Sequence, residues 1–175
     1  MSQATTVLLC GVGGQGTILA ADLLARTALA SNYDVKVSEI HGMSQRGGAV
    51  TTVVRFGTEP VATMVADHGC VDCVVSFETT EALRNLPFVR EGGYLLVADE
   101  DIKPLPVLTG KAGMPENARE KLQAAGASLI PAGTIAEHVA TAKSVNVVLL
   151  GALATRLDFS EEVWKEVISK RVPPK

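Results

Sequence analysis

The stretch TVLLCGVGGQGTILAADLLARTALASNYDVKVSE, from Thr6 to Glu39, decides the fold. Thr6–Cys10 is an apolar run too short for a helix and is followed by glycines, so we expect a buried strand. Thr17–Ala30 is rich in Ala and Leu, with apolar residues on a helical period, and predicts a helix. Asp34–Glu39 alternates apolar and polar residues and predicts a second strand. Strand, helix and strand in this order indicate a right-handed parallel crossover, the first unit of an α/β sheet.

The rest of the chain continues this pattern. Further strands are predicted at Ala49–Phe56, Cys70–Phe77, Tyr94–Ala98 (after a Gly92-Gly93 turn) and Ser128–Pro131. Helices are predicted near Thr80–Leu86, from Pro115 through Leu122 to Gly126, from a Thr134/Glu137 capping box, over Ser144–Thr155, and from a Ser160 cap through Lys170. We therefore expect a three-layer, Rossmann-like α/β fold, with a mostly parallel sheet and helices on both faces. It forms a single domain over residues 1–175, with an irregular arm near residues 99–117.

Composition excludes several classes of protein. Apolar types make up 47% of the 175 residues and charged types 20%, which is typical of a globular chain. Aromatic residues are only 4%, so the core must be mainly aliphatic. Sixteen Lys and Arg against 19 Asp and Glu give a net charge of −3, which argues against nucleic acid as the main partner. The sequence has neither a run of roughly 20 apolar residues nor a signal-peptide pattern, so we expect a cytoplasmic protein that does not enter a membrane.

The first glycine motif is Gly11-Val12-Gly13-Gly14-Gln15-Gly16, which satisfies G-x-G-x-x-G between a strand and a helix. Such glycines permit a tight turn and let an anion approach the helix N-terminus. Glu39 ends the second strand, where a ribose-binding carboxylate is expected. The motif alone favours NAD or FAD binding. The alternative is a turn whose glycines serve packing only, and Gln15 with the extra Gly14 is unusual for nucleotide binding.

A second motif, EIHGMSQRGG, runs from Glu39 to Gly48. It follows the second strand, so a parallel sheet brings it to the same carboxyl edge as the first motif. Arg46 beside two glycines is suited to clamp a carboxylate or phosphate, because guanidinium binds both bidentately. Met43 suits an adaptable contact surface. The alternative is a solvated loop with an ion-paired arginine.

The cysteines and histidines give weaker signals. Cys70-x-x-Cys73 has the spacing of metal ligands, but residues three apart in a strand point to opposite faces, and Cys10 is the only other thiol. Buried free thiols and no metal site are the preferred interpretation. His138 is expected to be partly buried and hydrogen-bonded. His41 is the only histidine inside a motif and is the better candidate for a site.

Several segments together resemble one protein family. GVGGQGTILAADLLA and SEIHGMSQRGGAV resemble the gamma-type subunit or domain of 2-oxoacid:ferredoxin oxidoreductases. The HGMSQRGG loop is most similar to the small (beta) subunit of the indolepyruvate branch. SFETTEALR, VNVVLLGALA and the RVPPK end resemble the same family, so the likeness covers most of the chain. The arm near residues 99–117 matches no motif of this family.

The resemblance implies a heteromeric enzyme that oxidatively decarboxylates arylpyruvates, with coenzyme A as acyl acceptor and ferredoxin as electron acceptor. Thiamine diphosphate, Mg²⁺ and the iron–sulfur clusters then belong to a large partner subunit. The chain itself has no G-D-G thiamine signature and no four-cysteine cluster motif. It is expected to bind no cofactor, to supply no catalytic residue and to be inactive alone.

The motifs and the resemblance together give two groups of candidate site residues. Gly11, Gly13, Gly14, Gln15 and Gly16 form an anion-binding or partner-binding loop. Seven residues are candidates for contact with substrate, coenzyme A or the other subunit: His41, Met43, Ser44, Gln45, Arg46, Gly47 and Gly48. Two alternatives remain open: an independent dinucleotide-binding protein, and a scaffold that only docks the large subunit. The sequence also leaves open the exact 2-oxoacid, whether the isolated chain forms a homodimer, and whether the family continues past Lys175.

Overall fold

The computed structural model describes residues 4–41, 47–103 and 105–171. Within these ranges six strands form one sheet: β1 Thr5–Val12, β2 Asp34–His41, β3 Ala49–Gly57, β4 Val71–Ser76, β5 Val89–Ala98 and β6 Ser128–Ile130. The helices are α1 Thr17–Ala30, α2 Thr79–Asn85, α3 Leu105–Leu108, α4 Ala118–Ala124, α5 Ala132–Val139, α6 Val145–Ala154 and α7 Glu161–Arg171. Short 3-10 turns at Leu86–Phe88 and Ala142–Ser144 precede β5 and α6. None of the helices in these ranges is long and apolar enough to cross a membrane.

The strand order of the sheet is β2-β3-β1-β4-β5-β6. β1, β4, β5 and β6 are parallel neighbours, whereas β3 runs antiparallel to both β1 and β2. The mostly parallel α/β fold is therefore confirmed. The crossover through α1 does connect two parallel strands, but they are not neighbours, because the chain returns from β2 directly into β3 and β3 pairs with both. This inserted strand moves β2 to the edge of the sheet.

Helices cover both faces of the sheet and give it three layers. Leu9 belongs to the apolar cluster formed with α1, α6 and α7, while Leu8 belongs to the opposite cluster with α2 and α4. Both leucines are at most 1% exposed. Burial of one such side chain contributes about 1.5–3 kcal/mol. A central strand covered on both faces buries every side chain, so its sequence is a continuous apolar run. This explains why TVLLC lacks the alternation seen in β2.

Three elements start more than two residues from their predicted positions. α4 starts at Ala118 after Asn117, so Pro115 lies outside its first turn. β5 starts at Val89, so Gly92-Gly93 lies inside the strand and not in a turn before it. The pairing of β4 with β5 shifts register there, and a Cβ on Gly93 would lie 3.1 Å from the Asp72 carbonyl oxygen, so the glycine permits an irregular strand to pass closely. α5 starts at Ala132 after Pro131, which places Thr134 inside the helix and removes the predicted capping box.

Other helix signals are confirmed. Gly126 ends α4 with φ +82°, and its N–H donates to the Gln123 carbonyl oxygen at 2.9 Å. Ser160 precedes α7, and its Oγ accepts from the Val163 N–H at 3.4 Å. These local signals need no tertiary contact.

Gly151 and the alanines in the helix predicted over Ser144–Thr155 favour close packing of another element against it, and this expectation is wrong for the described residues. No atom of another element lies within 4 Å of the position that a Cβ on Gly151 would occupy. The glycine instead lines an open groove of about 400 Å³ between α6 and α7. His138 is exposed, contrary to the prediction, but its Nδ1 lies 2.8 Å from the Thr134 carbonyl oxygen, so its predicted hydrogen bond is confirmed.

The cysteines are free thiols, as predicted, but only two are buried. Burial raises the pKa of Cys10 and of Cys73 to about 12, so both stay protonated. Cys70 lies just before β4 and is exposed. No group of three His, Cys, Asp or Glu side chains in the described ranges is placed to hold a metal ion.

Candidate functional site

The candidate site lies at the carboxyl edge of the sheet, between β1 and β4. The chain leaves β1 through α1 toward one side of the sheet, while β4, β5 and β6 follow one another on the other side. Two connecting loops therefore diverge from this point: the glycine loop, residues 13–16, and the β4–α2 turn at Phe77 and Glu78. Ligands of open α/β sheets bind in the crevice at such a switch point.

The side chain of Gln15 fills this crevice. Its Oε1 accepts from the Val12 N–H at 2.6 Å, and its Nε2 donates to the Phe77 carbonyl oxygen at 2.8 Å. One amide thus satisfies a backbone donor at the end of β1 and a backbone acceptor just after β4.

The glycines of the first motif have separate structural reasons. A Cβ on Gly11 would lie 2.6 Å from Gln15 Oε1 and 2.9 Å from Phe77 Cβ, so Gly11 makes room for the Gln15 side chain. Gly14 has φ +106°, a backbone conformation that other residues rarely adopt. Gly16 has φ +83°, and a Cβ there would lie 2.8 Å from Asn146 Nδ2 of α6. At Gly11 and Gly16, packing within the chain explains the glycine without a ligand.

The second motif lies against the first, as the sequence predicts, in the part that the structure describes. The Gly13 N–H donates to the Gly48 carbonyl oxygen at 2.8 Å, directly beyond the pairing of Val12 with Ala49. Gly47 and Gly48 therefore lie at the glycine loop, and the backbone of His41 ends β2. Met43, Ser44, Gln45 and Arg46, with the side chain of His41, lie outside the described residues.

Glu39 does not stand where a Rossmann ribose ligand is expected. It pairs with Thr52 on the edge strand, so β3 separates it from β1. Because neighbouring strands are about 4.8 Å apart, Glu39 is displaced from β1 by one extra strand spacing. The carboxylate does line the same open depression of about 860 Å³ as Gly13 and Gly16, beside α1. The sequence spacing between Gly16 and Glu39 fits the motif, but the inserted strand β3 places Glu39 one strand further from β1 than in a Rossmann fold.

The N-terminus of α1 is available to an anion or to backbone carbonyls. Gly16 precedes the helix, no side chain of the described residues caps it, and its first turn holds no acidic residue. The first N–H groups of a helix have no partner within the helix and carry partial positive charge. These backbone N–H groups are suited to bind an anion or to accept the backbone carbonyls of a partner.

A second depression of about 550 Å³ opens on the other side of the glycine loop, where α6 begins. Asn146 lies at its base and is 6% exposed, with Oδ1 accepting from the Val147 N–H at 2.9 Å. Lys143, Glu100 and Glu137 line the depression as well. Sequence reasoning missed Asn146, although it is the only polar residue in the VNVVLLGALA segment.

The buried carboxylate of Glu78 fixes the β4–α2 turn. Glu78 is fully buried, and its carboxylate accepts from the Thr80 N–H at 2.8 Å and from the Glu81 N–H. Burial raises the pKa of Glu78 above its usual value, and the two hydrogen bonds oppose that rise. The N–H of Thr79 donates to the Glu100 carbonyl oxygen at 3.0 Å. The helix predicted near Thr80–Leu86 is confirmed as α2, and its cap directly follows Phe77, whose carbonyl oxygen accepts from Gln15.

Comparison with known proteins assigns this arrangement to a family. Residues 6–175 match the family model described as pyruvate ferredoxin/flavodoxin oxidoreductase. The chain belongs to this family. It is 40% identical over 176 residues to indolepyruvate oxidoreductase subunit IorB of Thermococcus kodakarensis, a match that covers 97% of this chain and 87% of the relative. The chain is thus a small-subunit type of 2-oxoacid oxidoreductase, and an independent dinucleotide-binding protein is not favoured.

Solved structures of the family share the fold. The gamma subunit of a keto/oxoacid ferredoxin oxidoreductase from Geobacter sulfurreducens superposes with a TM-score of 0.68 at 23% identity, covering 97% of this chain and 87% of that one. The 2-oxoglutarate:ferredoxin oxidoreductase of Magnetococcus marinus, solved with 2-oxoglutarate, coenzyme A and succinyl-CoA bound, gives 0.73 at 22% identity. That match covers 97% of this chain but 27% of the longer one, so this fold forms one part of a larger chain there.

Proposed function

We propose that this chain is the small subunit of a thiamine-dependent 2-oxoacid:ferredoxin oxidoreductase that acts on arylpyruvates of the indolepyruvate type. The complete enzyme makes an acyl-CoA and CO₂ and passes the electrons to ferredoxin. The family match over residues 6–175 carries the proposal, and the 40% identity to an indolepyruvate oxidoreductase subunit supports the substrate class.

The division of labour follows from the chemistry that the chain offers. Thiamine diphosphate supplies the decarboxylation chemistry and iron–sulfur clusters carry the electrons, and both belong to the large partner subunit in this proposal. The small subunit contributes the carboxyl edge of its sheet. There the glycine loop and the second motif are joined by the hydrogen bond from Gly13 to Gly48, 2.8 Å long.

The acyl acceptor, coenzyme A, carries phosphates that match this edge. Backbone N–H groups at the start of α1 and the guanidinium of Arg46 are suited to bind them. His41, Met43, Ser44, Gln45, Gly47 and Gly48 complete the proposed contact surface for coenzyme A or for the large subunit. Because these groups bind and orient only, the chain alone turns over no substrate.

Co-expression with the large subunit tests the proposal. The two chains are expected to purify together, and indolepyruvate with coenzyme A should reduce ferredoxin or a viologen only when both are present. The isolated chain should contain neither thiamine diphosphate nor iron by chemical assay. Reduction of viologen by the isolated chain, or the absence of any complex with the large subunit, would contradict the proposal.

The Arg46→Ala variant distinguishes a carboxyl edge that binds coenzyme A from one that only docks the large subunit. In the reconstituted complex we expect the KM for coenzyme A to rise at least tenfold while the subunits stay together, because a charge-assisted contact to phosphate is lost. Lys111→Ala, on the arm, is the matched control for loss of one positive charge. Unchanged KM with weakened assembly would favour a docking scaffold.

A further inference from the structure

Gln15 is the only side chain in the glycine loop, and its two hydrogen bonds connect elements that are far apart in sequence. Oε1 accepts from Val12 at 2.6 Å, and Nε2 donates to Phe77, 62 residues further along the chain, at 2.8 Å. A side chain that served only to fill space would need neither bond. The glycine at position 11 permits this conformation of Gln15, since a Cβ there would collide with Oε1.

The contacts continue on both sides of Gln15. On one side, Gly13 directly follows Val12 and donates to Gly48, which ends the second motif. On the other side, Phe77 precedes the Glu78 cap of α2, and Thr79 donates to the Glu100 carbonyl oxygen at 3.0 Å. Hydrogen bonds thereby join four segments at the carboxyl edge: the end of the second motif, the glycine loop, the β4–α2 turn and the segment after β5. Gln15 supplies the side-chain link from the glycine loop to the β4–α2 turn, and the Phe77 N–H of that turn also donates to the Cys10 carbonyl oxygen of β1 at 2.8 Å.

We infer that Gln15 is a positioning residue that sets the affinity of the carboxyl edge for the acyl acceptor, by holding the glycine loop, together with the Gly48 carbonyl to which Gly13 donates, in one arrangement. This inference rests on the proposed function. Without the Gln15 amide, the Phe77 carbonyl loses its donor, and the turn Val12–Gly16 keeps its internal backbone bond from Gln15 to Val12 and the bond from Gly13 to Gly48, but among the described residues no bond to the β4–α2 turn. The loop then samples several arrangements, and each of its weak backbone contacts to a phosphate is made for a smaller fraction of the time.

Two variants separate the hydrogen bonds from the space that the side chain fills. Gln15→Glu keeps the size and the acceptor for Val12, but it places a carboxylate oxygen against the Phe77 carbonyl. Gln15→Met keeps a similar length and removes both hydrogen bonds. Gln123→Glu is the matched control, because Gln123 is exposed on α4, distant from the loop, and receives the same change of charge.

The closing experiment measures KM for coenzyme A and kcat in the reconstituted complex, together with amide hydrogen exchange in the isolated chain. Both Gln15 variants are expected to raise KM about tenfold, with kcat within twofold of wild type at saturating coenzyme A, the size expected for loss of one or two hydrogen bonds. Exchange at Gly13, the donor to Gly48, should become faster in both variants and stay unchanged in Gln123→Glu.

Unchanged KM in both variants, with the complex intact by gel filtration, would overturn the inference, and so would a fall in kcat without a change in KM. If the wild-type complex itself shows no turnover that depends on coenzyme A, the proposed function fails first. The exchange measurement then still decides whether Gln15 holds the loop. Unchanged exchange at Gly13 in both variants overturns that part independently of any activity.

Discussion

The two edges of the sheet are built in different ways. At the amino edge, Tyr33, Phe56 and Phe159 pack ring against ring, with centroids 5.3–5.8 Å apart. Asp72 there accepts from Arg90 at 2.7 Å and from the Thr6 N–H at 2.8 Å. The carboxyl edge holds glycines with positive φ and the half-buried amide of Gln15, which binds backbone atoms.

The difference follows from what each edge presents. At the amino edge the large rings pack on one another, and their burial stabilises the fold. The carboxyl edge presents the start of α1 and of α2, whose N–H groups need partners, so polar side chains gather there. We therefore expect changes at the amino edge to alter stability and changes at the carboxyl edge to alter binding.

The largest expected effect is at the amino edge. Phe56→Ala removes a ring that is 3% exposed and contacts two other rings, so the free energy of unfolding should fall by about 3–5 kcal/mol. Urea unfolding measures this change. Leu29→Ala, at a residue 57% exposed on α1, is the control and should change it by less than about 0.5 kcal/mol. A shifted KM for coenzyme A in a reconstituted Phe56→Ala complex would break the division between the edges.

A smaller loss of stability with a larger effect on binding is expected at Gly11. Gly11→Ala places a Cβ 2.6 Å from Gln15 Oε1 and 2.9 Å from Phe77 Cβ, so Gln15 must leave its position. The free energy of unfolding should fall by about 1–3 kcal/mol, and the KM for coenzyme A should rise as in the Gln15 variants. Gly151→Ala is the control: its Cβ meets nothing in the described residues, and in a helix it should stabilise the chain by about 0.5–1 kcal/mol. Equal losses in the two variants would contradict the role of Gly11.

The smallest effect is a dependence on pH at the carboxyl edge. Burial raises the pKa of Glu81, Arg84 opposes the rise, and Glu78 adds to it. A carboxyl group whose folded-state pKa is raised stabilises the fold below the unfolded value, near 4.5, and loses that contribution as pH rises through the folded value. Unfolding in urea from pH 4.5 to pH 7.5 should therefore show Glu81→Gln gaining stability relative to wild type as pH rises. Glu120→Gln, at an exposed position of α4, is the control, and parallel curves for wild type and Glu81→Gln would refute the expectation.

Sequence patterns were sufficient wherever the signal is local. The helix Thr17–Ala30 is found with the predicted bounds, and the stop at Gly126 is confirmed, because periodicity and backbone conformation act within a few residues. The capping box at Thr134 failed because Pro131, with its fixed φ, starts the helix earlier. Thr134 and Glu137 then both lie inside α5, where neither is at the N-cap position.

The candidate site was predicted less completely. That the two glycine motifs meet is confirmed through Gly13 and Gly48, since strand direction alone brings both loops to one edge. The partner of Gln15 was not accessible to sequence reasoning, because Phe77 lies 62 residues away and the pair exists only through the parallel pairing of β1 with β4. Asn146 beside Gly16 depends in the same way on how α6 packs.

The sequence by itself determined the family, the α/β class and the two motifs at one edge, because these depend on residue types and spacings along the chain. Only the tertiary structure decided how the glycine motif packs. The strand β3 enters between β1 and β2 and carries Glu39 away from β1, and Gln15 connects the glycine loop to Phe77 after β4. The physical reason is that hydrogen bonds between distant backbone atoms are set by strand pairing, which no local pattern encodes.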